Sequence, residues 1–428
     1  MTIANKTGEP GAFSRRTLLQ GSAAAVLGAL ALAGCSSSDS SSSSGASSGT
    51  SGTSSATADG AAAAGSVAAL AQAFYNTLDD DQKAATLLDY SLSNAQRWSN
   101  LPQGLLTGGA GGAGGGSMPS GGTESGGTPP SGASEGGGTP PTDATGGGAT
   151  ASSGGGSSQG RLGINLGELS DDQLAAFTAL LKAATGTTAG LGYDEITMHL
   201  DADDYLGENG GGDTYGRENF YVAILGSPQD SGTWEFQFGG HHLAVANTYT
   251  DGALVGATPS FRGIEPFGDF TWDGETENVF KVKAAALTAL LAGLSDDQLA
   301  SAELADVYTD LVLGPGNDWA FPTDYEGVKV STLSADQKKL VLAAIATYVD
   351  DVADDDAATI LASYEDELDD TYVAYSGTTA LTEKNDYIRI DGPSVWIEFS
   401  MQNGIVLSGN HPHSVWRDRQ ADYGGTQS

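Results

Sequence analysis

Cysteine is almost absent: Cys35 stands alone in 428 residues. A single thiol closes no intrachain disulfide, so a disulfide-stapled scaffold is excluded. Basic residues are scarce, with 18 Lys and Arg against 54 Asp and Glu and a formal net charge of −36. A surface with that balance gains nothing from counterion release on a phosphate backbone, which excludes nucleic acid as a partner. Histidine is rarer still, at five in the whole chain. Long apolar runs are also missing. The run Ala23 to Ala33 is too short to span a bilayer, and no other segment is apolar enough to do so. There is no Walker A loop, no GxGxxG ahead of a helix and no nucleophile elbow. The Gly210–Gly212 run in GENGGGD lacks the lysine that a phosphate loop needs.

The N-terminus does carry a pattern. Ser14-Arg15-Arg16-Thr17-Leu18-Leu19 is a twin-arginine motif, and the apolar run after it ends in Leu32-Ala33-Gly34-Cys35. This resembles a bacterial lipoprotein box, and the resemblance implies cleavage before Cys35 and lipidation of its sulfur. Residues 1–35 are therefore expected to be a signal peptide. The body of the protein is expected to be extracytoplasmic, held to a bacterial membrane (periplasm or cell surface) by lipid on Cys35. Residues 36–65, rich in Ser and Gly, cannot bury enough apolar surface to offset their ordering entropy and read as a tether. A second Gly- and Pro-rich stretch, 107–160, contains GGTPP twice and reads as a disordered insertion within one domain spanning 66–425.

A helix-start signal recurs. Leu169-Ser170-Asp171-Asp172-Gln173-Leu174 returns as Leu294-Ser295-Asp296-Asp297-Gln298-Leu299, with looser copies at Leu78–Gln82 and Leu333–Gln337. Each reads as a capping box: the Ser or Asp accepts from the N3 amide, and the N3 Gln reaches back to the cap amide. Helices are predicted over 79–100, 170–184, 295–307 and 334–352, with others over 67–77, 278–291 and 355–368. The irregular spacing of the four signals argues against a solenoid. Strands are predicted in two blocks, 220–258 and 386–417, with hairpin turns at Thr250-Asp251-Gly252 and Asp391-Gly392-Pro393. Trp234, Phe236 and Phe238 alternate with polar residues, and Gly239-Gly240 reads as a break in that strand. The expected fold is α+β, a largely antiparallel sheet built from two strand blocks and surrounded by capped amphipathic helices.

Four of the five histidines fall in two clusters, His241-His242 and His411-Pro412-His413. The residue before a proline is driven toward an extended conformation, and residues two apart on an extended chain share a face. His411 and His413 can thus approach one Zn, Cu or Fe ion, with His241 or His242 joining across a bulge. Glu398 or Asp418 would be the catalytic base or orient a ligand, and Arg417 would hold an anionic substrate group. His199, in ITMHL, reads as an ordinary packed histidine on a strand. The function expected is an extracytoplasmic metalloenzyme, hydrolytic or oxidative. The alternative is a non-catalytic surface lipoprotein that binds a small ligand or serves the envelope structurally.

GHH after an aromatic strand, TPSFRGIEP at Thr258–Pro266, YIRIDGPSVWIEF at Tyr387–Phe399 and HPHSVWRDRQADYGG at His411–Gly425 together resemble the uncharacterised family called domain of unknown function 3500. The LSxDQ helix starts are similar to that family too. The resemblance runs from about Ala68 to Gly425, apart from the Gly-rich insertion, and implies no activity.

Overall fold

The structure is a computed structural model that describes residues 62–107 and 160–425. The signal segment, Cys35, almost all of the 36–65 tether and the interior of the 107–160 insertion lie outside the described residues. The strands are β1 (Leu87–Leu88), β2 (Ile164–Asn165), β3 (Tyr221–Leu225), β4 (Thr233–Gly240), β5 (Leu243–Thr250), β6 (Ala253–Gly256), β7 (Ser260–Gly263), β8 (Phe270–Trp272), β9 (Glu275–Glu277), β10 (Val328–Lys329), β11 (Tyr372–Ser376), β12 (Tyr387–Asp391), β13 (Val395–Asn403) and β14 (Asn410–Asp418). Twelve form one sheet in the order β1-β3-β4-β5-β7-β14-β13-β12-β11-β10, with β2 beside β3 and β6 beside β5. The β1–β3 pair is parallel and the other strand pairs of that sheet are antiparallel. β8 and β9 form a separate hairpin. The fold is α+β, as expected.

Alternation sorts the side chains. Trp234, Phe236, Phe238, Ile397, Phe399 and Trp416 point to one face, where two apolar clusters bury them against helices. The other face is covered by irregular segments that bring Trp98, Leu311 and Trp319 onto Ala223, Phe261 and Val415. Both faces are therefore dry, and polar residues on the second face are buried as well.

All four helix-start signals form complete capping boxes, at Asp79/Gln82, Ser170/Gln173, Ser295/Gln298 and Ser334/Gln337. The capping glutamines also meet in pairs. Gln173 Nε2 donates to Gln82 Oε1 at 2.7 Å, and Gln337 Nε2 donates to Gln298 Oε1 at 2.6 Å. The same Gln173 and Gln337 amides donate to Thr77 O and Gly293 O. Strand registers repeat in the same way. Ile164↔Val222 and Asn165↔Tyr221 are matched by Val328↔Val373 and Lys329↔Tyr372. The parallel pair Leu87↔Ile224 is matched by the parallel bridge Glu303↔Tyr375. Leu166 N to Phe220 O is matched by Val330 N to Thr371 O. The fold is thus an internal duplication whose halves meet at the antiparallel β7–β14 pair, which runs from Ser260↔Trp416 to Gly263↔His413.

Several element boundaries differ from expectation. The helix predicted over 79–100 stops at Thr86, because Leu87 and Leu88 pair with β3. The one predicted over 295–307 stops at Ala302, where Glu303 bridges to Tyr375. In both, tertiary pairing overrides local propensity. His199 is on a helix, Gly192–Leu206, and not on a strand. Gly239 and Gly240 do not break β4. They pair with Ala244 and Leu243, and a Cβ on Gly240 would lie 2.5 Å from the Phe220 ring. These glycines serve close packing, and the turn falls one step later, on His241-His242.

Candidate metal centre

The β4–β5 hairpin turns on two residues, His241 and His242. His242 has φ of 60°, in the left-handed region that side chains other than glycine's rarely adopt. Such strain costs about 1 kcal/mol or more and persists only where the surroundings fix it. Here His242 N donates to Asn100 O at 3.0 Å, and its carbonyl accepts from Gly263 N at 2.7 Å. The helix Gly192–Leu206 grips the other residue of the turn. His199 Nε2 lies 3.3 Å from His241 O, and Asp203, one helical turn further on, holds His241 Nδ1 at 2.6 Å. His241 is thereby committed to a carboxylate, with its ring stacked on His242 at 3.7 Å between centroids.

β14 supplies the other two histidines. His411 and His413 lie on one face of an extended strand, opposite Gln402 and Ser400 of β13. Gly263 of β7 faces His413, and a Cβ there would come within 3.0 Å of the His242 ring and 3.1 Å of the His413 ring. The bare glycine is what lets the two imidazoles close on each other.

His242, His411 and His413 each offer a nitrogen such that all three lie within 4.8 Å of one another. His411 Nε2 is 3.2 Å from His413 Nε2, which is 3.3 Å from His242 Nε2. His413 Nδ1 is paired at 3.0 Å with Asp310 Oδ1, which also accepts from Leu311 N. Burial opposes the charge on Asp310, but the bonds from His413 and Leu311 outweigh it and hold the carboxyl below its usual range. Burial, reinforced by the neighbouring histidines His413 and His241, pushes His411 down to about 3. Burial and the same crowding hold His242 well below its usual value. A metal requires its histidine ligands in the neutral form, which burial favours at His242 and His411.

The residues expected to do acid–base and anion-binding work sit elsewhere. Glu398 lies opposite Val415, two residues along from His413, or roughly 7 Å at strand spacing. Its carboxylate is filled by Val312 N (2.6 Å), Leu313 N (2.9 Å), Tyr387 OH (2.6 Å) and Trp396 Nε1 (2.8 Å). Arg417 lies further along β14, bonded to Asp422, Asp318 and Leu313 O. Asp418 points to the opposite sheet face and holds Tyr364 OH and the amides of Gln420 and Ala421. Glu398 and Arg417 thus pin the Val312–Leu313 backbone, and with it the segment that presents Asp310 to His413. They support the centre from a distance and do not touch it. Sequence reasoning did not anticipate Asp203 or Asp310. Asp203 had a usable signal, its spacing of four from His199. Asp310, in an irregular segment, had none.

The model of the family described as "Protein of unknown function (DUF3500)" matches residues 156–425. The chain belongs to this family. That stretch carries all five histidines, both hairpins and the β7–β14 seam, whereas Asn100, whose carbonyl holds the His242 amide, lies outside it. No curated protein and no solved structure matches the chain.

Proposed function

We propose that His242, His411 and His413 hold a divalent transition-metal ion, zinc or one of similar preference, and that the protein is an extracytoplasmic metalloenzyme. The observation that carries this is the nitrogen spacing. Tetrahedral zinc with Zn–N bonds of about 2.0–2.1 Å needs ligand nitrogens roughly 3.3 Å apart; two of the three pairwise separations are 3.2 and 3.3 Å, and all three nitrogens lie within 4.8 Å of one another. Three protein ligands leave a fourth position for water, whose pKa such an ion lowers toward neutrality. In that reading Asp310 fixes the tautomer of His413, and His241, held by Asp203, buttresses His242. A cavity of about 20 Å³ borders His413 and Asp310, room for one water. That tightness suits a small substrate, and it also favours the second reading, a non-catalytic metal-holding lipoprotein.

The test is elemental analysis of purified protein after loading with zinc, copper or iron. Wild type should retain about one ion per chain and His413→Ala almost none. Equal retention by the two proteins, or none by wild type, rules the ligand set out. A loaded wild type with no hydrolytic or oxidative turnover across a substrate panel favours the non-catalytic reading.

The location is part of the same proposal: twin-arginine export and anchoring through lipid on Cys35. Among the described residues no helix is long and apolar enough to cross a membrane. Cys35→Ser should shift the protein from the membrane pellet to the soluble fraction, or leave an uncleaved precursor. Fractionation and mobility identical to wild type would defeat the lipoprotein assignment.

A further inference from the structure

The apolar core is divided between the two halves of the duplication. One cluster is built from the first half, around Phe74, Phe177, Leu180, Phe236 and Tyr249. The other is built around Leu287, Ile345, Ile390, Ile397 and Trp416 of the second. Along the sheet, the join between them is short. The β7–β14 ladder runs for four residue pairs and ends at Gly263↔His413. The histidine centre stands at that end, and its nitrogens come from both sides: His242 from the first half, His411 and His413 from the second. Each side is fixed within its own half. His242 N donates to Asn100 O at 3.0 Å, and His413 Nδ1 is paired with Asp310 Oδ1 at 3.0 Å.

We propose that a transition-metal ion at this centre is a clasp between the halves, so that metal occupancy sets how tightly they hold together. The clasp rests on the three-histidine ligand set proposed above and names what the ion controls there. An ion bound by nitrogens of both halves binds the joined state and not the parted one. By mass action it favours the joined state by one plus the ratio of free metal to Kd. Neither half reproduces the site alone, since a zinc site takes three protein ligands or more and the halves supply one and two. Other ties across the seam need no metal. Arg262 Nη2 lies 3.1 Å from Asp351, Lys283 pairs with Glu195, and Trp98 Nε1 donates to Tyr423 OH at 2.8 Å. These hold the halves in register and bring the three imidazoles together before an ion arrives. The ion therefore tightens an association that already exists.

The test cuts the chain after it has folded. A protease site is inserted at the exposed Asp273-Gly274 turn of the β8–β9 hairpin, which lies between the halves, and the purified full chain is cleaved there. Analytical ultracentrifugation then reads the apparent dissociation constant of the two fragments, in urea chosen so that half of the metal-free pairs are apart. Free zinc at about a hundred times its Kd in that urea should lower the constant roughly a hundredfold. His242→Asn, whose side chain tolerates the left-handed backbone of the turn, should remove the zinc effect. His413→Ala, on the other side of the seam, should do the same, and it decides the matter if the first variant fails to fold. Zinc that is retained by the nicked pair yet leaves the fragment affinity unchanged is held by one half alone, which overturns the clasp. A zinc effect that survives either substitution overturns it too. Wild type that retains no zinc, read by elemental analysis of the same sample, removes the ligand set itself and the clasp with it.

Discussion

Replacing Lys283 by methionine should destabilise the protein by about 3–5 kcal/mol, the range for removing one partner of a buried ion pair. Lys283 is fully buried on the helix Lys281–Ala292. Its ammonium bonds Glu195 and, at 3.0 Å, Asp351. Arg262 closes the group, with its Nη2 3.1 Å from Asp351. Two acids and two bases thus balance in a site without bulk water. Burial and the charge of Asp351 push Glu195 up, while Lys283 and Arg262 pull it back. Removing Lys283 leaves two carboxylates facing one guanidinium. The double variant Lys283→Met with Glu195→Gln restores the balance and should recover most of the loss, because a neutral pair of similar volume avoids the desolvation cost of both charges. Urea unfolding followed by circular dichroism reads both. A single variant within about 1 kcal/mol of wild type, or a double variant no better than the single, would show that the quartet is not an electrostatic unit.

The quartet also shows where sequence reading stops. Glu195, Arg262, Lys283 and Asp351 come from two helices, one strand and the turn after the helix Ala335–Val349, in both halves of the duplication, and no periodicity announces that they meet. The capping boxes, by contrast, were legible because cap, N3 residue and staple lie within six positions of one another. What they mark was hidden. Partners Gln82 and Gln173 are 91 residues apart, whereas Gln298 and Gln337 are 39 apart. The Gly-rich insertion in the first half makes a two-fold repeat look irregular.

The histidine cluster was half legible. Proline fixes the extended conformation at His411, and a spacing of two places His411 and His413 on one face. Which member of the GHH pair would join them depended on a two-residue turn read as a strand with a bulge. In such a turn both side chains leave the strand plane, and Asp203, on a distant helix, captures His241. The duplication sharpens the point. Pro393-Ser394 occupies the equivalent turn of the β12–β13 hairpin, with Gly392 N bonded to Val395 O. Only the first half offers a histidine turn and only the second a histidine strand, so the centre forms at the seam.

Alternation along β4 by itself would set Glu235 at the surface. Glu235 points away from the helical layer, yet the second face is covered too and the residue is 0% exposed. Its hydrogen bonds come from neutral donors, Gln237 Nε2 at 2.7 Å and Thr248 Oγ1 at 2.9 Å. Burial pushes its pKa from 4.5 up to about 7, and those two bonds offset only part of the effect. The folded state therefore binds the proton more tightly than the unfolded chain does. Between about pH 4.5 and 7 the folded protein keeps a proton that the unfolded chain has released, so stability falls as pH rises through that window. Below pH 4.5 both states are protonated and nothing is lost. Above pH 7 both are ionised, and the full penalty of about 3 kcal/mol applies. Glu235→Gln keeps the shape and an acceptor and removes the charge. It should match wild type near pH 4.5 and exceed it by about 3 kcal/mol at pH 8, read as the difference between urea midpoints across the two conditions. A gain that is the same at both pH values would mean that Glu235 is neutral in the folded protein throughout, or that a cation balances it, and the assignment of an unpaired buried carboxylate would fall.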